Sequence, residues 1–326
     1  MKNYGFSSSL APIIEQYRHY CINTGTYCDG SFERIHYFDV YFAEYERSGS
    51  HDEEQSAVNK WFQKRDTETN NSCRSRSYPV FGFIRYANTR GLLNWEIPEL
   101  PDGLPCSYVP HIFTEKELKD FFNACDHIPL MFNNTQNIIR KYTIPVIFRT
   151  LYSTGMRTFE CRALLCRDVD LASGIVNIEH SKHNIQHYIV LHDSCRVMLE
   201  AYNEKISMIC PDREYFFPGT GRYPYLTKDW LCENFNSIWN QISDSYAKPY
   251  DFRHNYAIQN INNWTGDINS QFNKLVYLSK TMGHVTLDST RYYYSYSPKM
   301  AELIKEHTVR EMESILPEVN INDYLG

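Results

Sequence analysis

The stretch Thr281-Met-Gly-His-Val-Thr-Leu-Asp-Ser-Thr-Arg-Tyr-Tyr-Tyr294 sets His284 directly after a glycine and Tyr293 nine residues later. Two shorter clusters lie upstream, Gly155-Met-Arg157-Thr-Phe-Glu160 and Tyr250-Asp-Phe-Arg253-His254. Brought to one surface, two arginines can grip a phosphate through paired N–H donors. A histidine adds a further donor, and a tyrosine hydroxyl can attack phosphorus to give a covalent intermediate. Each residue alone has a plainer role. An arginine and a glutamate three apart on a helix are most often a surface ion pair, and an isolated histidine is usually structural. Tyr292, Tyr293 and Tyr294 compete for the nucleophile, and successive helical positions point about 100° apart, so only one of them can face a bound phosphate.

The elements that must position these groups are set by composition and pattern. A chain of 326 residues suits two domains, and a hydrophobic fraction of 42% supports packed cores. The sequence contains no run of eighteen apolar residues, so no membrane partner is expected. The first residues lack the apolar stretch of a secretory signal. Ten cysteines without a Cys-x-x-Cys pair read as reduced thiols, and the expected location is cytoplasmic. The net charge of −6 does not announce a polyanionic partner, which would need local basic faces.

The expected fold is mainly α with a small β-hairpin or sheet, in two domains. Residues 1–93 read as a helical domain, with Ile13, Ile14, Tyr17 and Cys21, then Ile35, Phe38, Tyr41 and Phe42, at helical spacing. A helix over 72–89 carries Val80, Phe83, Ile84 and Ala87 inward, and Pro79 predicts a kink or break in it. Lys60, Lys64, Arg65, Arg74, Arg76 and Arg85 cluster nearby, either as a solvated face or as a stripe that tracks phosphates. Residues 94–111 hold four prolines and read as a linker. The second domain, 112–326, opens on Thr114-Glu-Lys-Glu117, a capping box. Helices are expected over 137–153, 158–165, 195–208, 228–241, 252–262, 272–282 and 299–315, with Asp193 and Thr227 as N-caps. Residues 174–180 and 186–191 read as a hairpin with Lys182 near its tip.

These boxes make the second domain resemble the catalytic domain of the tyrosine recombinase (phage integrase) family, and the first resembles that family's helical, SAM-like core-binding domain. The resemblance covers close to the whole chain. It implies that Arg157 and Arg253 clamp the scissile phosphate, that His284 donates to a non-bridging oxygen, and that Tyr293 is the nucleophile. It further implies that Lys182 protonates the departing 5′-oxygen, that Glu160 buttresses Arg157, and that His254 packs behind Arg253. Two positions depart from the pattern. Met282 replaces a leucine, which conserves volume, and Tyr250 replaces the usual histidine. Tyr250 can donate a hydrogen bond, but a phenol with an ordinary pKa near 10 is a poor proton acceptor at neutral pH.

The expected activity is site-specific DNA recombination through a 3′-phosphotyrosyl bond, by the integrase or transposase of a mobile element, with no metal or other cofactor. The implied partners are double-stranded DNA, further copies of the chain in a tetramer on DNA, and a DNA-bending accessory protein. The apolar stripe of the last expected helix, Met300, Leu303, Ile304, Met312, Ile315 and Leu316, suits docking on a neighbour. Two other readings stand beside this one: a type IB topoisomerase-like relaxing enzyme, and a DNA-binding protein of the same fold that has lost catalysis.

Overall fold

The computed structural model describes residues 4–48, 54–104, 108–130, 132–179, 186–219, 221, 223–264 and 268–296. The chain divides into two compact units, Met1–Tyr108 and Val109–Gly326.

The first unit is helical. α1 (Ala11–Asn23), α2 (Asp29–Arg47), α3 (Glu54–Phe62) and α4 (Asn70–Thr89) bury their apolar stripes in one core. Ile14 and Cys21 of α1 meet Ile35, Phe38 and Phe42 of α2, with Val80, Phe83 and Ile84 of α4. The expected break at Pro79 does not occur, and α4 runs through it. An interior proline costs about 3 kcal/mol. The turns on either side bury Cys73, Ser77, Val80, Phe83 and Ile84, and each large apolar side chain contributes about 1.5–3 kcal/mol. Burial therefore outweighs the lost hydrogen bond.

The proline-rich segment after α4 lies along this unit. The Trp95 ring packs 5.4 Å from that of Phe42, and the Trp95 carbonyl accepts from Asn88 Nδ2 at 2.7 Å. Asn71 binds Leu104 through both amide atoms, and Arg74 donates to the Pro101 carbonyl. The prolines keep the backbone extended, and side chains of α4 satisfy its polar groups.

The second unit begins with α5 (Glu115–Asp126), whose capping box forms in both directions between Thr114 and Glu117. α6 (Thr135–Thr154) ends at Gly155, which takes the left-handed conformation at φ 65°. α7 (Thr158–Arg162) follows, then β1 (Val169–Asp170), β2 (Ile175–Ile178) and β3 (His187–Val190), an antiparallel sheet in the order β1-β2-β3. α8 (Asp193–Ile209) is capped by His192, whose imidazole accepts from the Ser194 N–H. Asp193, expected at the cap, instead sits in the first turn, where its charge favours the helix dipole. Thr227 caps α9 (Lys228–Trp239) as expected, and α10 (Asp251–Asn263), α11 (Ile268–Thr281) and α12 (Asp288–Arg291) complete the described helices. Phe113, Phe121, Phe148, Phe235, Trp239 and Phe252 form the aromatic centre of the core. The expected helix 299–315 and the hairpin tip with Lys182 lie outside the described residues.

The mainly helical fold with one small sheet is the class the sequence predicts.

Candidate active site

Two left-handed glycine turns build the site. Gly155 ends α6, and Gly283 (φ 62°) ends α11, where the Gly283 and His284 amides bond back to the Lys280 and Ser279 carbonyls. These positive φ values suit glycine, which carries no Cβ penalty there. A Cβ on Gly155 would stand 2.4 Å from the Tyr256 ring.

Each turn holds an arginine. Arg157, at the N-cap of α7, donates from Nη1 to Glu160 Oε1 and from Nη2 to the Gly283 carbonyl, both at 2.6 Å. Glu160 is 3% exposed, and its second oxygen accepts from the Arg157 backbone N–H. Its carboxylate thus holds the arginine at both ends. Arg253, on α10, is 1% exposed and donates to the Gly155 carbonyl at 2.8 Å and the Met282 carbonyl at 2.6 Å. Burial pulls its pKa below the ordinary arginine range. Main-chain carbonyls hold its terminal nitrogens, and the Tyr293 hydroxyl and the Glu160 charge lie close enough to act on it as well.

The cavity in front of these arginines, about 730 Å³, is lined by Arg157, Glu160, Tyr250, Arg253, His254, His284, Tyr292 and Tyr293 among others. Tyr293 is 3% exposed and shares a small core with Ala257, Ile258 and Met282, whereas Tyr292 is 44% exposed. The tyrosines lie in a 3-10 turn, Tyr292–Tyr296. Tyr292 hydrogen-bonds to Tyr296, and Tyr294 packs half-buried at the edge of that core. Burial pushes the Tyr293 hydroxyl up to about 12, with the Arg253 guanidinium pulling the other way. The His284 ring lies 6.3 Å from that of Tyr293, centroid to centroid.

The settings of His284 and His254 both disfavour the charged imidazole. Burial, then the Arg253 and Arg157 charges, hold His284 down to about 3, and burial with Arg253 holds His254 at about 4. His254, expected behind Arg253, lines the cavity instead, its ring 5.1 Å from Tyr250 and 5.6 Å from Tyr293. Its position just after Arg253 on α10 turns it toward the tyrosine.

Two neighbours lie outside the sequence motifs. His187 of β3 is buried with Nε2 3.9 Å from Glu160 Oε2, beneath Gly283. Strand alternation marks it as inward-facing. Thr290, fully buried, bonds to His284 Nδ1.

Of the basic residues singled out in the first unit, Lys60, Lys64, Arg65 and Arg85 are exposed. Arg76 is engaged internally, pairing with Glu68 at 2.6 Å and stacking 5.0 Å from the Trp61 ring centroid, and Arg74 is tied to Pro101.

Residues 111–300 match the phage integrase family. The chain belongs to that family. Among phage integrase relatives, a putative integrase/recombinase y4rB of Sinorhizobium fredii is 24% identical over 252 residues, 71% of this chain and 76% of that one. The tyrosine recombinase XerC of Oceanobacillus iheyensis is 24% identical over 57% of this chain. This chain spans only 56% of that XerC and 63% of a second Sinorhizobium fredii relative, y4rE. Among solved structures, the Tn1549 transposon integrase in complex with transposon right end DNA aligns with TM-score 0.60 at 12% identity, over 91% of this chain and 98% of that one. The XerH recombinase bound to difH substrate aligns with TM-score 0.55 at 14% identity, over 83% and 77%. Both share its fold. No described helix is long and apolar enough to cross a membrane.

Proposed function

We propose that this protein is a site-specific recombinase that cleaves and rejoins DNA through a 3′-phosphotyrosyl bond on Tyr293. One observation carries the reading. Tyr292 and Tyr293 both line the cavity with Arg157, Arg253 and His284, and of the two it is Tyr293 that is buried. The substrate class follows from membership of the phage integrase family and from relatives whose names and structures concern recombination and DNA.

In this mechanism the Tyr293 hydroxyl releases its proton to solvent in the cavity as its oxygen attacks the scissile phosphorus, and the bond to the 5′-oxygen breaks. Arg157 and Arg253 offset the charge gathering on the non-bridging oxygens, usually the largest catalytic contribution, and His284 donates to the same group. Lys182 supplies the proton to the departing 5′-oxygen. A 5′-hydroxyl from a partner duplex then attacks the phosphotyrosine and releases Tyr293, so the bond energy is conserved. The 1–93 segment, with Lys60, Lys64, Arg65 and Arg85 on its surface, follows the DNA backbone. The role is that of a mobile-element integrase or transposase, working as a tetramer on two DNA sites.

The test is to mix the protein with sheared genomic DNA, denature it, and sequence what remains covalently attached, with Tyr293→Phe in parallel. Adducts at one short site, 3′-linked and lost in the variant, are expected. Adducts spread over unrelated sequences would instead identify a topoisomerase. Bound DNA without adducts would identify a binding protein with a silent site.

A further inference from the structure

We propose that Thr290 is a positioning residue that fixes His284 as a donor with its proton on Nε2, facing the phosphate site. The inference rests on the recombinase reading for its purpose, but its physical content stands without DNA.

The Thr290 hydroxyl lies 2.6 Å from His284 Nδ1, and Thr290 is fully buried. Several helical threonines elsewhere send their hydroxyl proton to the carbonyl four residues back, whereas Thr143 of α6 bonds to the Tyr202 hydroxyl. Thr150 donates to Val146, Thr154 to Thr150, and Thr281 to Tyr277. Thr290 does otherwise because α12 begins at Asp288, so it lies in the first turn, before a helical carbonyl exists at that distance. Among the described residues its hydroxyl contacts no acceptor other than the imidazole.

A hydroxyl has one proton, and a neutral imidazole has one acceptor nitrogen. If Nδ1 carried the ring proton, Thr290 would accept that bond and leave its own O–H buried without an acceptor, an unfavourable state. With the Thr290 proton on Nδ1, both groups are satisfied and the ring proton sits on Nε2. The ring is neutral, because burial and the two arginines disfavour a further positive charge beside them. Nδ1 is occupied by Thr290, so Nε2 is the nitrogen left to serve the cavity that His284 lines.

The same contact ties together the two functional ends of the segment. Thr290 is one turn before Tyr293, and its backbone N–H is held by the Leu287 carbonyl at 2.8 Å. The histidine donor and the tyrosine nucleophile are thus registered through one short element. Loss of the hydroxyl frees the ring to rotate and to populate the other tautomer.

Two measurements test this. The first is long-range ¹H–¹⁵N NMR of ¹⁵N-histidine-labelled protein without DNA, with His284 assigned by His284→Gln. A protonated Nε2 and an unprotonated, hydrogen-bonded Nδ1 are expected in the wild type and in Thr290→Ser. Thr290→Val is expected to show averaged shifts. A proton on Nδ1 in the wild type overturns the proposal. The second is single-turnover cleavage of a nicked duplex carrying the site recovered by adduct mapping. Thr290→Val is expected to slow cleavage on the order of tenfold, less than outright removal of a transition-state donor, with DNA affinity changed less than about twofold. Thr290→Ser should recover most of the rate. An unchanged rate in the valine variant, or a serine variant as slow as valine, also overturns it. If no form of the protein cleaves DNA, the recombinase reading fails, while the NMR result still decides the tautomer.

Discussion

Arg157 and Gly283 are 126 residues apart, and the guanidinium of one donates to the carbonyl of the other at 2.6 Å. The glycine is also hemmed in at its Cα. A Cβ at 283 would stand 2.6 Å from His187 Cε1 and 3.1 Å from Arg157 Nη1. Gly283→Ala must therefore displace His187 or Arg157, and it also places alanine at positive φ. A stability loss of roughly 1–3 kcal/mol is expected from strain and overpacking, measurable by urea unfolding. Cleavage should fall further than this loss explains, because the displaced group is a phosphate clamp.

Arg253 offers a sharper separation of charge from geometry. Its two terminal nitrogens reach different carbonyls, those of Gly155 and Met282. A lysine ammonium keeps the charge but lacks the planar fork. Arg253→Lys should lower single-turnover cleavage by about 10²–10³-fold while DNA affinity, measured by gel shift, stays near that of the wild type. Equal losses of binding and cleavage would place Arg253 in recognition instead.

The two depressed histidines make stability depend on pH in a defined window. His254 and His284 fall from an ordinary value of 6.5 to about 4 and about 3 when the chain folds. Below pH 6.5 the unfolded chain takes up protons at these sites and the folded chain does not, so acidification favours unfolding. Melting temperature is expected to drop between pH 6.5 and 4. The double variant His254→Gln, His284→Gln should show a shallower slope over that range in calorimetry. Parallel slopes would mean that neither imidazole is held neutral.

Tyr250 stands in the cavity beside His254 where the family pattern has histidine. A phenol cannot relieve Tyr293 of its proton near neutral pH, whereas an imidazole can. Tyr250→His is expected to raise the rate of covalent adduct formation at pH 7 by about three- to tenfold, a modest part of what general base catalysis can supply. A slower variant would show that this site has adapted to the phenol.

Much of the site was legible because short-range pattern and turn chemistry specify it. The capping box at Thr114, the glycine ending α6 and the inward residues of α2 and α4 all follow from spacing within one or two turns. That only one of Tyr292, Tyr293 and Tyr294 can face the site follows from the angle between successive positions, and the choice of Tyr293 rests on the family resemblance. What escaped depends on distant partners. Pro79 looks like a helix breaker until the core on both sides of it is counted. Arg76 looks like part of a basic stripe until Glu68 and Trp61 close on it. His187 gains its meaning from Glu160 and Gly283, and Thr290 from the point at which α12 begins. The two-residue strand β1 is too short to show a period.

Both arginines are steadied by main-chain oxygen, Arg253 at Gly155 and Met282 and Arg157 at Gly283. A peptide carbonyl is supplied by every residue type, so sequence drift at Met282 leaves its contact intact. Drift at either glycine does not, because each conformation excludes a side chain. The lineage of this protein is thus free to vary much of the cradle's chemistry while two small positions hold its shape, and inherited change should collect around them rather than in them.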